Sequence, residues 1–182
     1  MKIAVLGWGS LIWLPKSLKI IENQWYEDGP HLPVEFARIS GDGRLTLVIK
    51  PGWQDVSVLY AISNFDIVDT AVENLADREG SPISRIGYID FLNQKHQIRP
   101  ANRGLLPVLQ AWRKEKNFDA VIWTDLPPNF KDKTKTDFTL NNISSYFKGL
   151  SQDVFSVAKE YVENTPQQVE TTFRSEIYKM FS

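Results

Sequence analysis

The chain has no cysteine among its 182 residues, which excludes a disulfide framework and any thiolate metal site. Histidine is almost as scarce. His31 and His96 are too far apart in sequence to form a ligand pair, so no bound metal is expected. Neither sign of charge dominates either, and a formal net charge of −1 provides no basic patch for nucleic acid or an anionic membrane surface. No hydrophobic run approaches the roughly 20 residues that a membrane helix needs. The apolar stretch after Lys2 is broken by glycines and lacks a small-residue cleavage site, so it does not read as a signal peptide; a cytoplasmic protein is expected. Repeats and low-complexity tracts are absent as well.

What is present is a 42% apolar chain of a length that buries a sizeable core, and one domain over residues 1–182 is expected, with 139–182 as its helical C-terminal extension. Its most informative stretch is Ile3-Ala4-Val5-Leu6-Gly7-Trp8-Gly9-Ser10-Leu11. Ile3 to Leu6 read as a buried strand, and the glycines after it permit a close approach to the main chain. A turn over Gly7–Ser10 would aim the N–H groups of Gly9, Ser10 and Leu11 into a concavity that holds an anion. The plainer reading is a tight turn between core segments. Ile12, which stands where the third glycine belongs, and Pro15 soon after it argue against a dinucleotide fingerprint.

The next elements follow from periodicity. Residues 34–39 and 44–49 flank Gly41-Asp42-Gly43 and predict a hairpin; residues 56–62 predict a central strand. Ile67, Ala71, Leu75 and Val68, Val72, Ala76 place a helix over 66–78, with Asn64 as N-cap, Gly80 at C′ and Pro82 beyond. Further expectations are a strand over 83–92 with a bulge at Gly87, a helix over 103–116 capped by Asn102, and a strand over 120–124. Residues 131–135 read as a solvated loop. Helices are expected over 140–148 and 151–164, and a third from Thr165-Pro166-Gln167-Gln168 to about Met180. These C-terminal helices read as packing elements or, alternatively, as an oligomer contact.

Glu79 stands out because a carboxylate in the last turn faces the unpaired carbonyls, an arrangement costing about 0.3–1 kcal/mol. That field favours a bound proton and suits a proton shuttle near neutrality. The plain alternative is an exposed terminal glutamate paired with Arg78 or Arg85.

Trp8-Gly9-Ser10-Leu11 after an N-terminal strand resembles the opening motif of the γ-glutamylcyclotransferase-like superfamily, which reads Tyr-Gly-Ser followed by Leu or Asn. Leu75-Ala76-Asp77-Arg78-Glu79-Gly80, followed by Gly87-Tyr88, resembles the Leu-x-x-Arg-Glu motif of its ChaC-type branch. The resemblance spans residues 3 to about 150. It implies an α+β fold, a small mixed β-barrel with surrounding helices, and an enzyme that cyclises a γ-glutamyl group to 5-oxoproline without a cofactor. In that chemistry the substrate's own α-amine closes on the γ-carbonyl, so holding the conformer supplies much of the rate. Glu79 inherits the catalytic acid/base role, while Trp8, Gly9, Ser10, Leu11 and Tyr88 inherit substrate binding. Three features depart from the family's pattern: Trp8 replaces the motif tyrosine, Tyr88 comes late after Glu79, and no glutathione-specific loop is present. Two other classes fit the same residues: an inert module binding a small carboxylated metabolite, and a protein-interaction domain using its aromatic N-terminal region or C-terminal helices.

Overall fold

The computed structural model describes residues 1–181. Its strands are β1 (Ile3–Gly7), β2 (His31–Ile39), β3 (Leu45–Ile49), β4 (Asp55–Ser57), β5 (Leu59–Ile62), β6 (Ile86–Asp90), β7 (Lys95–Gln97) and β8 (Ala120–Thr124). The helices are α1 (Val68–Glu79), α2 (Leu106–Lys116), α3 (Phe130–Thr134), α4 (Leu140–Lys148), α5 (Gln152–Asn164) and α6 (Arg174–Lys179).

The architecture is α+β with two sheets. One has the order β5-β1-β8-β6-β7, in which β1 and β8 run parallel and the other neighbours antiparallel; the other has the order β3-β2-β4. Alternation along β1 and β8 divides the core between the two faces of the larger sheet. Ile3, Val5, Ala120 and Ile122 face Val68, Ala71, Val72 and Leu75 of α1. Ala4, Leu6, Val121 and Trp123 face the smaller sheet, α2 and the C-terminal helices.

Among the described residues, backbone pairing does not close these sheets into the expected barrel. At the free edge of β3, side chains stand where a neighbouring strand could pair. Trp8 Nε1 donates to the Leu47 carbonyl at 3.3 Å, and the Leu47 N–H donates to the Tyr161 hydroxyl at 3.3 Å. Side chains thus occupy the edge groups that a ladder would use.

Several local expectations are corrected. The strand predicted over 56–62 breaks at Val58, whose N–H bonds the Pro30 carbonyl, and its second half, β5, is an edge strand rather than a central one. Tyr26 bridges to Tyr60 on that edge and explains its burial. The N-cap of α1 is Ile67, without a side-chain bond, and not Asn64. The residues 83–85 form a 3-10 turn ahead of β6. Gly87 is no bulge, since its register with Trp123 is regular; a methyl group there would overlap the Trp123 indole. Asn102 does not cap a long helix but donates to the buried Asp125 carboxylate. Residues 130–134 are helical rather than loop.

The long helix predicted from Thr165 shrinks to α6, because the capping groups are engaged elsewhere. The Thr165 hydroxyl donates back to the Tyr161 carbonyl, and the Arg174 guanidinium donates to the carbonyls of Thr165, Pro166, Gln167 and Val169. Glu35, fully buried on β2, takes bonds from the Thr171 hydroxyl (2.7 Å) and the Phe173 N–H (3.1 Å), holding that segment extended against the core.

Candidate active site

A cleft of about 540 Å³ lies between the end of β1, the free edge of β3 and the C-terminal end of α1. Small-molecule sites commonly have this size. Five of the six residues singled out from the sequence line it: Trp8, Gly9, Ser10, Leu11 and Glu79. Tyr88 does not. It pairs with Ile122 and Gln97 in mid-sheet, and strand alternation turns its side chain toward the α1 cluster.

Gly80 ends α1 in the left-handed conformation (φ 58°, ψ 36°), with the Ser81 N–H returning to the Ala76 carbonyl in a Schellman closure. This stops the helix at Glu79 and leaves its carboxylate at the cleft wall. Arg78 is buried with only 6% of its side chain exposed, and it joins the two motif stretches. Its Nη1 donates to Glu79 Oε1 at 2.6 Å, while its Nη2 donates to Ser10 Oγ at 3.3 Å and to the Leu14 carbonyl at 2.7 Å. The guanidinium therefore supplies the cation that a last helical turn prefers, offsetting the unfavourable field expected at Glu79. Glu79 Oε2 has no protein donor among the described residues.

After β1 the chain turns tightly, with the Gly9 and Ser10 carbonyls accepting from the N–H groups of Ile12 (3.0 Å) and Leu14 (2.9 Å). The N–H groups of Gly9, Ser10 and Leu11 meet no protein acceptor among the described residues. A methyl group on Gly9 would overlap the Tyr161 hydroxyl, so glycine is required where α5 crosses the turn. Burial pushes the Tyr161 phenol up to about 12, and the Glu79 charge adds to that, so the group stays protonated at any working pH.

Other cleft residues were not singled out from the sequence. Tyr161 lies on α5, and its contact with Leu47 spans distant parts of the chain. Arg38 and Arg44 flank the hairpin turn. Burial opposes the Asp42 charge, yet bonds from Arg44 and Ser40 hold its carboxyl below the ordinary value. Arg44 Nε lies 2.8 Å from Asp42 Oδ2, although its N–H does not point at that oxygen. Burial and the nearby Arg85 and Arg99 hold Arg38 below its usual range. Three buried polar atoms of cleft residues have no hydrogen-bond partner among the described residues: Nε of Arg44, Nε of Arg78 and Oγ1 of Thr124. Unsatisfied groups of this kind around one cleft suit a polar ligand.

Among the described residues no cluster of histidine, aspartate and glutamate is arranged to hold a metal ion, and no helix is long and apolar enough to cross a membrane. Comparison with family models, curated proteins and solved structures returned no match for this chain.

Proposed function

We propose that the cleft is the active site of a γ-glutamylcyclotransferase-like enzyme that releases 5-oxoproline from a γ-glutamyl peptide or amine. The observation that carries this reading is the Arg78 bridge. One guanidinium bonds both Glu79 and Ser10, so the two stretches that resemble the family's motifs meet at one wall although 68 residues separate Ser10 from Arg78. In this reading the two sheets are an opened form of the family's barrel, and the side chains of Trp8 and Tyr161 stand at its seam.

The reaction needs few parts. The N–H groups of Gly9, Ser10 and Leu11 hold the substrate's α-carboxylate or the oxyanion formed at the γ-carbonyl. Arg78 fixes the Glu79 carboxylate through Oε1 and leaves Oε2 to take a proton from the α-ammonium. The freed amine attacks the γ-carbonyl, a new C–N bond closes the five-membered ring, and the original amide C–N bond breaks. Glu79 returns its proton to the leaving nitrogen, and the second proton, shed by the ring nitrogen once its C–N bond has formed, follows through the same carboxylate, so the leaving group departs as an ammonium. No electrons are exchanged with a cofactor.

The same ion pair also favours a second reading. A glutamate held by a buried arginine is a structural element, and the cleft then binds a carboxylated metabolite without turning it over. Incubating the protein with pooled γ-glutamyl dipeptides, glutathione and γ-glutamyl amines separates the two. Release of 5-oxoproline, followed by mass spectrometry, supports the enzyme; thermal stabilisation by a pool member without product supports the binding module.

A further inference from the structure

Three arginines line the cleft, and two of them are spoken for: Arg44 lies beside Asp42 and Arg78 beside Glu79. Arg38 differs. Among the described residues no carboxylate lies within ion-pair distance of it, and its only bond is from Nη1 to the Pro127 carbonyl at 2.8 Å. That bond anchors the guanidinium on the segment just after β8 and leaves Nε and Nη2 unspent. Its neighbours add positive charge. Arg99 is neutralised by Asp125 at 3.1 Å, but Arg85 has no carboxylate within ion-pair distance among the described residues. Thr124, also in the cleft lining and close in sequence to Pro127, carries a buried hydroxyl with no partner among the described residues.

A half-buried guanidinium with an unspent edge, positive neighbours and an orphaned hydroxyl in the same cleft lacks an anion with at least two acceptor oxygens. A carboxylate meets that need, because its planar pair of oxygens matches two N–H groups of the guanidinium fork. The same cleft also offers Arg78 and the N–H groups of Gly9 to Leu11 for the first anionic group of a γ-glutamyl compound.

We infer that the Arg38–Thr124 wall is a subsite for a second carboxylate, carried by the leaving portion of the ligand. The ligand class is then a γ-glutamyl amino acid or peptide, rather than a γ-glutamyl amine whose leaving portion is uncharged at that end. This rests on the cyclotransferase reading for the identity of the γ-glutamyl half. The subsite itself rests on Arg38 and Thr124 alone. Arg38 is a specificity residue here: it acts on which compound binds and plays no part in the proton transfers.

The test is calorimetric titration of Glu79→Gln, which holds ligand without turnover, with γ-glutamylalanine and γ-glutamylethylamine, matched in size and differing in one carboxylate. The dipeptide is expected to bind about tenfold more tightly or better, the scale of a hydrogen bond to a charged group. Adding Arg38→Gln is expected to bring the two affinities together by weakening the dipeptide alone, and Arg38→Lys to restore part of the difference. Unchanged amine binding shows that Arg38→Gln still folds. Equal affinities in the parent, a preference that survives Arg38→Gln, or no binding of either compound overturns the subsite. Turnover by the wild-type chain reports on the chemistry separately. A dipeptide preference without 5-oxoproline release keeps the subsite and sinks the enzyme reading; release without preference does the reverse.

Discussion

Arg78 and Glu79 are consecutive in sequence and bonded in space, with Nη1 2.6 Å from Oε1 at the left-handed end of α1. Adjacent side chains on a helix normally diverge by about 100°. Here the last turn and the Schellman closure bring them together, and the other guanidinium nitrogen ties the pair to the turn after β1. Removing the cation should therefore cost both stability and the shape of the site. Arg78→Met leaves Glu79 without its cation, and Ser10 and the Leu14 carbonyl without their donors. A loss of about 3 kcal/mol, the lower end for breaking a buried pair because Glu79 remains partly exposed, is expected from urea denaturation. Arg78→Lys should recover part of the stability without restoring the fork.

Gly9 and Tyr161 form a coupled pair. Gly9→Ala should destabilise the fold by about 1–3 kcal/mol, because the new methyl group displaces a fully buried hydroxyl. Tyr161→Phe removes that hydroxyl and leaves the Leu47 N–H unpaired, a loss of about 1–2 kcal/mol. The double variant should be less destabilised than the two losses added together. Chemical denaturation of the four proteins measures this coupling, and strict additivity would show that the turn and α5 do not touch as described.

Glu35 gives a pH dependence. Burial raises its proton affinity above the ordinary value near 4.5, and the bonds from Thr171, Phe36 and Phe173 only partly counter that. The folded chain then holds this proton to higher pH than the unfolded chain. Its contribution to stability is fully present below the unfolded value and is lost as pH rises through the raised folded value. Urea midpoints measured upward from about pH 4.5 should carry a downward component that Glu35→Gln removes. A slope unaffected by that substitution would place the titration elsewhere.

Much of this architecture was legible from patterns of two and 3.6. β1, the β2–β3 hairpin, α1 with its Gly80 terminus, β8, α4 and α5 all lie close to where apolar periodicity placed them. The failures share a cause, namely long-range partners that override local signals. Thr165 carries a capping pattern, yet its hydroxyl closes the preceding helix, while Arg174 collects the carbonyls that a new helix would have used. Val58 follows Ser57 at the head of the apolar run 58–62, and its N–H goes to Pro30, so the strand splits between two sheets. In the cleft, the Trp8–Leu11 turn and Glu79 were found because each follows a recognisable local ending, a strand into glycines and a helix into glycine. Tyr161, Arg38 and Thr124 carry no such mark, since their place in the cleft depends on how α5, β2 and β8 come together. Tyr88, chosen for its position after Glu79, is turned away by strand alternation.

Whether Glu79 moves the protons of a γ-glutamyl cyclisation is read from 5-oxoproline release by the wild-type chain and by Glu79→Gln under identical conditions. Steady release from γ-glutamylalanine is expected from the wild type, and a loss of about a hundredfold or more in the variant, the scale of general acid–base catalysis, under conditions where circular dichroism shows the variant folded. Release at the same rate from both proteins would contradict the role given to Glu79, and no release from the wild type would contradict the enzyme reading itself.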